Sequence, residues 1–313
     1  HGMMPILIYR STMSIVTLWE LYNDDSPIPA PIIDNGILLD KTMLMIIGAP
    51  KNKKTFLAWN IAIALARGEG FACFKVKEEK RVLILSAEGG KFQMRDRLRT
   101  MITNPNENVL SNVSYSNKLI FDLNNEESFQ HLIDQVQTEK PEIIILDPLI
   151  RFISEDENSS VKIGQVFQRL RTLIDDFDIS LIIVDHTGKD PSKVDRGSSV
   201  KRSEYDSAIY MHSKDNNSRL SFDMRHIETP DDKHIKFNSE TCWFENSEIQ
   251  NTDYGVLELL RSNPALEKSE LASGYMDLYQ CSQATAYRHI LKSVDSGLIN
   301  QIEGKYYPAE NLN

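Results

Sequence analysis

Gly48-Ala49-Pro50-Lys51-Asn52-Lys53-Lys54-Thr55 opens on glycine, carries three lysines after the proline-containing start, and ends in Lys-Thr. That ending can bind phosphate if the octet links a buried strand to a helix. Backbone N–H groups and the helix dipole then favour negative charge at the loop. Lys54 would reach the β- and γ-phosphates of a nucleoside triphosphate, and the Thr55 hydroxyl would coordinate Mg²⁺. The candidate nucleotide-binding segment is therefore Gly48 to Thr55, with Phe56 just beyond. The octet departs from the pattern G-x-x-x-x-G-K-[ST] at Lys53, where a second glycine is usual. Glycine permits a left-handed backbone at low cost, so Lys53 implies modest strain and an added positive charge near the phosphates.

Three more segments end an apolar run in a polar residue. Pro141-Glu142-Ile143-Ile144-Ile145-Leu146-Asp147 has the form of a Walker B strand, with Asp147 able to hold a metal-bound water opposite Thr55. Arg81 to Gly90, RVLILSAEGG, ends near Glu88, a carboxylate that could orient and deprotonate an attacking water. Leu181 to Lys189, LIIVDHTGK, puts His186 where it could sense a γ-phosphate through a hydrogen bond. In doubly wound sheets ligands sit outside the carboxyl ends of strands, and all three candidates stand there. Each also has a plain alternative: a solvated turn at Gly48–Thr55, a strand-stopping Asp147-Pro148, a glycine breaker at Gly89-Gly90, a satisfied structural histidine.

These residues need a parallel sheet to bring them together, and the chain alternates strand and helix from Met43 onward. Strands are expected at Met43–Ile47, Arg81–Ser86, Lys118–Ile120, Ile143–Leu146, Leu181–Val184 and Ser207–Met211. Helices are expected at Phe56–Arg67, Phe92–Met101, Glu126–Thr138 and Lys162–Phe177. Arg219–Arg225 and Ile235–Phe237, around Thr229-Pro230-Asp231-Asp232, form a terminal hairpin. The polar stretch Glu245–Asp253 is a linker. Beyond it, helices at Tyr254–Arg261, Lys268–Tyr275 and Ser282–Ser296, then a hairpin within Gly297–Tyr307, make a winged helix-turn-helix. The expected organisation is an N-terminal arm over 1–40, an α/β domain over 41–246 and a winged helix over 252–313. The proline-rich Asp24–Pro31 makes the arm extended; it either packs on a neighbouring copy or serves as a connector.

Composition bounds the function. The 313 residues are 41% hydrophobic and 26% charged, with a net charge of −10, as in a soluble globular protein rather than one coated by nucleic acid. No apolar run approaches the roughly 20 residues of a membrane span, and Met3–Tyr9 is too short for a signal peptide, so no membrane partner is expected. Cys73, Cys242 and Cys281 have no disulfide or metal spacing, which fits a cytoplasmic setting. Residues 251–313 hold five Lys or Arg against eight Asp or Glu, a poor balance for phosphate binding. Their third helix nevertheless groups Tyr287, Arg288, His289 and Lys292, so this unit is either a DNA reader or a protein-docking module.

Taken in order, GAPKNKKT, SAEGG, EIIILDPL, VDHTGK and RGSSVKRSEYDS resemble the RecA-like P-loop ATPases of the RepA-type hexameric replicative helicases. The resemblance covers about Asp34 to Phe244. It implies ATP and Mg²⁺ as ligands, Lys54 and Thr55 on nucleotide and metal, Glu88 as catalytic base, Asp147 on the metal and His186 as sensor. It also implies an arginine supplied to a neighbouring subunit's site. Arg225, in Phe222-Asp223-Met224-Arg225-His226, fits that role best, and Arg202 is the rival. The expected function is a Mg-dependent ATPase acting on single-stranded DNA as a homo-oligomeric, hexameric ring, with Lys189, Lys193, Arg196, Lys201 and Arg202 lining the channel and Arg288 and Lys292 as further DNA contacts. An ATP-controlled DNA-binding regulator, and a loader or signalling ATPase that docks on proteins, are the alternatives.

Overall fold

The computed structural model describes residues 15–87, 89–116, 122–153, 160–186, 203–247, 253–279 and 281–309. Its centre is a nine-stranded sheet whose strands are β1 (Met43–Gly48), β2 (Val82–Ser86), β3 (Val113–Ser116), β4 (Ile143–Asp147), β5 (Ser180–His186), β6 (Ser207–Lys214), β7 (Asn217–Met224), β8 (Lys233–Asn238) and β9 (Trp243–Asn246). They lie in the order β3-β2-β4-β5-β1-β6-β7-β8-β9. The first six in that order pair in parallel, and β6 to β9 continue as an antiparallel meander.

The parallel strands are apolar on both faces because helices cover both. Alternate residues divide between two cores. Leu44, Ile46, Ile84, Ile145, Ile182 and Val184 pack on one side with α2 (Lys54–Arg67). Met43, Met45, Leu83, Leu85, Ile144, Leu146 and Ile183 pack on the other, with α5 (Glu126–Glu139) and α6 (Ser160–Phe177) supplying Phe129, Leu132, Phe167 and Leu170. Helix α2 is buried almost all round, from Leu57 to Ala66, as a helix inside a large core must be. The shorter helices are α1 (Leu18–Tyr22), α3 (Lys91–Met101) and α4 (Glu107–Ser111).

After β9, α7 (Asp253–Ser262), α8 (Lys268–Tyr279) and α9 (Gln283–Asp295) pack with a three-stranded sheet of β10 (Leu266–Glu267), β11 (Ile299–Ile302) and β12 (Lys305–Pro308). They share a third core of Val256, Leu260, Leu271, Tyr275, Ile290 and Tyr306. Ser282 caps α9 by accepting from the Thr285 amide at 3.2 Å, the capping role its position predicts. Among the described residues no helix is long and apolar enough to cross a membrane.

Several elements differ from the sequence expectation. The strand expected at Lys118–Ile120 lies outside the described residues, and a strand not expected, β3, precedes it. The hairpin of β7 and β8 is not terminal, because β9 adds to β8 with Lys236 opposite Glu245 and Ile235 opposite Asn246. Glu245, expected to begin a linker, is therefore in a strand. Backbone pairing and the burial of Phe244 outweigh the polar side chains there. Ile33, Ile37 and Leu38, within the expected arm, are fully or almost fully buried in the α2-side core.

Candidate functional site

The carboxyl ends of β1, β4 and β5 lie side by side, so their terminal residues meet. Gly48 is paired with His186 across β1 and β5, and Ser86 with Asp147 across β2 and β4. At Gly48 a side chain has no room: an added Cβ would stand 2.6 Å from the Met211 carbonyl oxygen of the neighbouring β6. Beyond it the loop turns with the Asn52 amide donating to the Ala49 carbonyl at 3.3 Å, and α2 begins at Lys54.

Lys54 is only 4% exposed. Its ammonium donates to the Gly48 carbonyl at 2.8 Å and to the Ala49 carbonyl at 2.9 Å, and lies 3.1 Å from Nδ1 of His186. An ammonium has only donors, so Nδ1 accepts there and the imidazole is held in one tautomer. The Thr55 hydroxyl donates to Oδ1 of Asp147 at 3.2 Å. The Ala87 amide donates to the Asp147 carbonyl at 2.9 Å, bringing the end of β2 against the same carboxylate-bearing residue. Lys54, Thr55, Asp147 and His186 are thus one cluster. A hydroxyl and a carboxylate side by side are hard oxygen donors, the set that suits a Mg²⁺ ion retaining several waters. Glu88 lies outside the described residues, as do Lys189, Lys193, Arg196, Lys201 and Arg202.

Lys53 adopts the left-handed backbone a glycine would take, with φ 61°. Its ammonium does not turn into the cluster. It donates to the Asp215 carbonyl at 2.7 Å, in the turn between β6 and β7, and stands 5.3 Å from the Phe237 ring centre. Asn52 reinforces this junction: its side-chain amide donates to the Met211 carbonyl at 2.9 Å, and its own carbonyl accepts from the Ser213 hydroxyl at 3.3 Å. Phe56 packs between the Phe237 ring, 5.0 Å away, and the Arg97 guanidinium, 4.9 Å away. Sequence reasoning missed Ser213, Asp215, Phe237 and Arg97. No local pattern marks them, because contacts such as Lys53 to Asp215 span 162 residues.

Arg225 is not with this cluster. It follows β7 beside the amino end of β6, where Met224 is paired with Ser207. Strand β1 rises about 3.3 Å per residue. The five steps from Met43 to Gly48 therefore separate Arg225 from its own phosphate loop by about 17 Å. Arg288 and Lys292 sit one turn apart on the exposed face of α9, the opposite face holding Ala286, Ile290 and Ser293.

A parallel sheet with a lysine-threonine loop after β1 and an aspartate ending β4 defines a P-loop nucleotide-binding protein of RecA-like fold. The sequence model of an AAA domain family matches residues 11–192, more than half of the chain, and the chain belongs to that family. Nucleotide binding comes with that membership. Among solved structures, one titled as an ATPase domain is 16% identical with a TM-score of 0.50, over 67% of this chain and 86% of that one. Another, titled as a DnaB-like replicative helicase and its interactions with primase, is 15% identical with a TM-score of 0.50, over 67% of this chain and 59% of that one. These likenesses are of fold. A search of curated proteins finds no match to the sequence.

Proposed function

We propose that the chain is a Mg-dependent ATPase that works on single-stranded DNA as a ring, a helicase motor in the replication of a plasmid, phage or other mobile element. The observation that carries this reading is the single cluster of Lys54, Thr55, Asp147 and His186 at the carboxyl edge of a RecA-like sheet. The fold is shared with proteins titled as an ATPase domain and as a DnaB-like replicative helicase, which favours a motor acting on DNA.

In this reading the backbone amides of the Gly48–Thr55 loop and the first turn of α2 cradle the phosphates. Lys54 exchanges its carbonyl partners for phosphate oxygens and stabilises charge on the transferring group. Thr55 and Asp147 would hold Mg²⁺, which would supply positive charge to the triphosphate when bound. Glu88, just past β2, orients and deprotonates the attacking water. His186, 3.1 Å from the Lys54 ammonium, reports the nucleotide state to the segment that follows it. Arg225 cannot serve its own site and acts on a neighbour's, which makes an oligomer, most simply a hexamer, part of the mechanism. Lys189, Lys193, Arg196, Lys201 and Arg202 line the central channel. The division into an arm over 1–40, an ATPase domain over 41–246 and a winged helix over 252–313 belongs to the same proposal, as does a cytoplasmic location. Helices α7 to α9 followed by the β11–β12 hairpin support the winged helix, with Arg288 and Lys292 on its exposed face.

The test is ATP turnover with and without single-stranded DNA, in the wild type and in Glu88→Gln and Lys193→Ala/Arg196→Ala variants. Stimulation by DNA, lost in the double variant, and nucleotide binding without turnover in Glu88→Gln are expected. Turnover indifferent to DNA in every protein would overturn the motor reading. DNA binding that maps to Arg288 and Lys292 alone would favour an ATP-controlled regulator, and neither DNA binding nor stimulation would favour a loader that docks on proteins.

A further inference from the structure

The amino ends of β1 and β6 carry a polar cluster whose central residue has no part in the proposed chemistry. At its centre is Asp206, the residue before β6, whose side chain is 11% exposed. The carboxylate accepts from the Met43 amide at 2.8 Å and from the Arg171 guanidinium of α6 at 2.7 Å, and lies 3.2 Å from Nε2 of His226. Its backbone extends the network. The Asp206 amide donates to the Met43 carbonyl at 3.0 Å, and the Asp206 carbonyl accepts the Arg225 amide at 3.0 Å. The second guanidinium nitrogen of Arg171 donates to the Glu204 carbonyl at 2.5 Å, and Arg225 donates to the Ser203 carbonyl at 2.7 Å. One residue therefore ties together the first residue of β1, the helix α6 and the turn that carries Arg225 and His226.

We propose that Asp206 is a positioning residue for Arg225, fixing the direction in which that guanidinium is offered to a neighbouring nucleotide site. The proposal rests on the reading of Arg225 as acting on a neighbour. Arg225 lies at a strand end, on an exposed turn, and an arginine there has many rotamers to choose from. Gripping its main chain through Asp206, and holding Asp206 by charge-assisted hydrogen bonds from Arg171, removes most of the freedom of the turn beneath it. The same carboxylate grips the amino end of β1, whose carboxyl end carries the phosphate loop. The two halves of a composite site, one on each edge of the sheet, are thereby held in a fixed relation through one strand. Burial works to raise the Asp206 carboxyl, but the hydrogen bonds from Arg171, the Met43 amide and His226 hold it below its ordinary value, so it stays an anion under the arginines.

The experiment compares full-length Asp206→Asn, Arg171→Gln, Arg225→Ala and Lys54→Ala proteins, alone and in pairwise mixtures. Asp206→Asn keeps size and polarity and loses the charge. A misplacement of about 1 Å in a group that acts on the reacting phosphoryl can cost on the order of 100-fold, so turnover at saturating ATP should fall about tenfold to 100-fold. Affinity for a fluorescent ATP analogue should be unchanged. Mixing Asp206→Asn with Lys54→Ala should recover turnover, because Lys54→Ala subunits bring a well-placed Arg225 to intact sites. A general loss of structure would not be recovered that way. Arg171→Gln should give the same pattern more weakly, and stands in if Asp206→Asn folds poorly. The proposal is overturned if both variants keep full turnover, or if they lose it without recovery in mixtures where Arg225→Ala does recover. If Arg225→Ala itself keeps full turnover, the reading of Arg225 falls, and the role of Asp206 with it.

Discussion

The two halves of the nine-stranded sheet are built on different terms. In the parallel half, β2, β4 and β5 are buried on both faces, and each ends in or next to a polar residue at the same edge. In the antiparallel half, β7 alternates buried with exposed or half-buried residues, and its polar groups act across strands instead of at strand ends. Arg219, for example, faces His212 on one side and His234 on the other, and pairs with Asp232 at 2.9 Å. The parallel half gathers Lys54, Thr55, Asp147 and His186 on one edge. The antiparallel half braces that cluster through Asp215 and Phe237 and presents Arg225 on the opposite edge. Under the proposed role of Arg225, each side would carry half of a site, and two copies set edge to edge would make a whole one.

The largest effect that tests this contrast is expected at Lys54. Lys54→Ala should lose nucleotide affinity and reduce turnover to background, measured with a fluorescent nucleotide and by phosphate release. Arg225→Ala comes next. An arginine supplied by a neighbour is worth at least about 10³-fold in phosphoryl transfer, so turnover should fall by roughly that factor with nucleotide affinity unchanged. The contrast between the edges breaks if Arg225→Ala weakens nucleotide binding as Lys54→Ala does.

The parallel half was legible from the chain because its signals are local. An apolar run of four or five residues, followed by Asp or His within two positions or by Lys-Thr after the six residues Gly48 to Lys53, marks a strand and the polar residue beyond it, and Lys54, Thr55, Asp147 and His186 do meet. Strand bounds moved by one to three residues where backbone pairing extended past the apolar run, as in β5 to His186 and β6 to Lys214. Little of the antiparallel half was legible. Strand β9 begins Trp243-Phe244 and then turns polar, so neither alternation nor an apolar run marks it. The partner of Lys53 is set by a turn that only the register of β6 on β1 brings near. The spacing of the octet predicts a lysine aimed at phosphate. Only the fold shows one tied to the hairpin.

A smaller effect at Lys53 sharpens that point. Its hydrogen bond to the Asp215 carbonyl and its contact with the Phe237 ring are worth about 1 and about 0.5 kcal/mol. Its left-handed backbone costs about 1 to 2 kcal/mol relative to glycine. Lys53→Gly removes both the contacts and the strain, so stability to urea should change by less than about 0.5 kcal/mol. Lys53→Met removes the contacts and keeps the strain, and should lose about 1.5 kcal/mol. Equal losses in the two variants would mean that the strain is not relieved by glycine. A steep, salt-dependent loss of ATP affinity in Lys53→Met, with stability unchanged, would mean that the ammonium serves phosphate after all.

The smallest effect belongs to the polar core of the antiparallel half. His234 is half-buried with Nε2 shielded from solvent, and lies across from Arg219 in the sheet. Burial is the main reason that its pKa is lowered; Arg219 pushes the same way, and Asp232 only partly opposes them. A histidine with a lowered pKa binds its proton more readily in the unfolded chain than in the folded one. Stability is therefore full above the unfolded value of about 6.5 and is lost as pH falls from there towards the folded value. Within that window the slope from one such group is at most about 1.4 kcal/mol per pH unit. His212, on the other side of Arg219, is shifted in the same direction and adds to the same slope. Urea unfolding of the wild type between about pH 7.5 and about 5 should show falling stability. His234→Leu, which cannot be protonated, should flatten part of that fall and leave the value at the upper end of that range little changed, because Nε2 of the neutral ring has no hydrogen-bond partner to lose among the described residues. An unchanged slope in His234→Leu would move the acid sensitivity to His212 or to the carboxylates, and would leave the brace on the antiparallel side independent of pH.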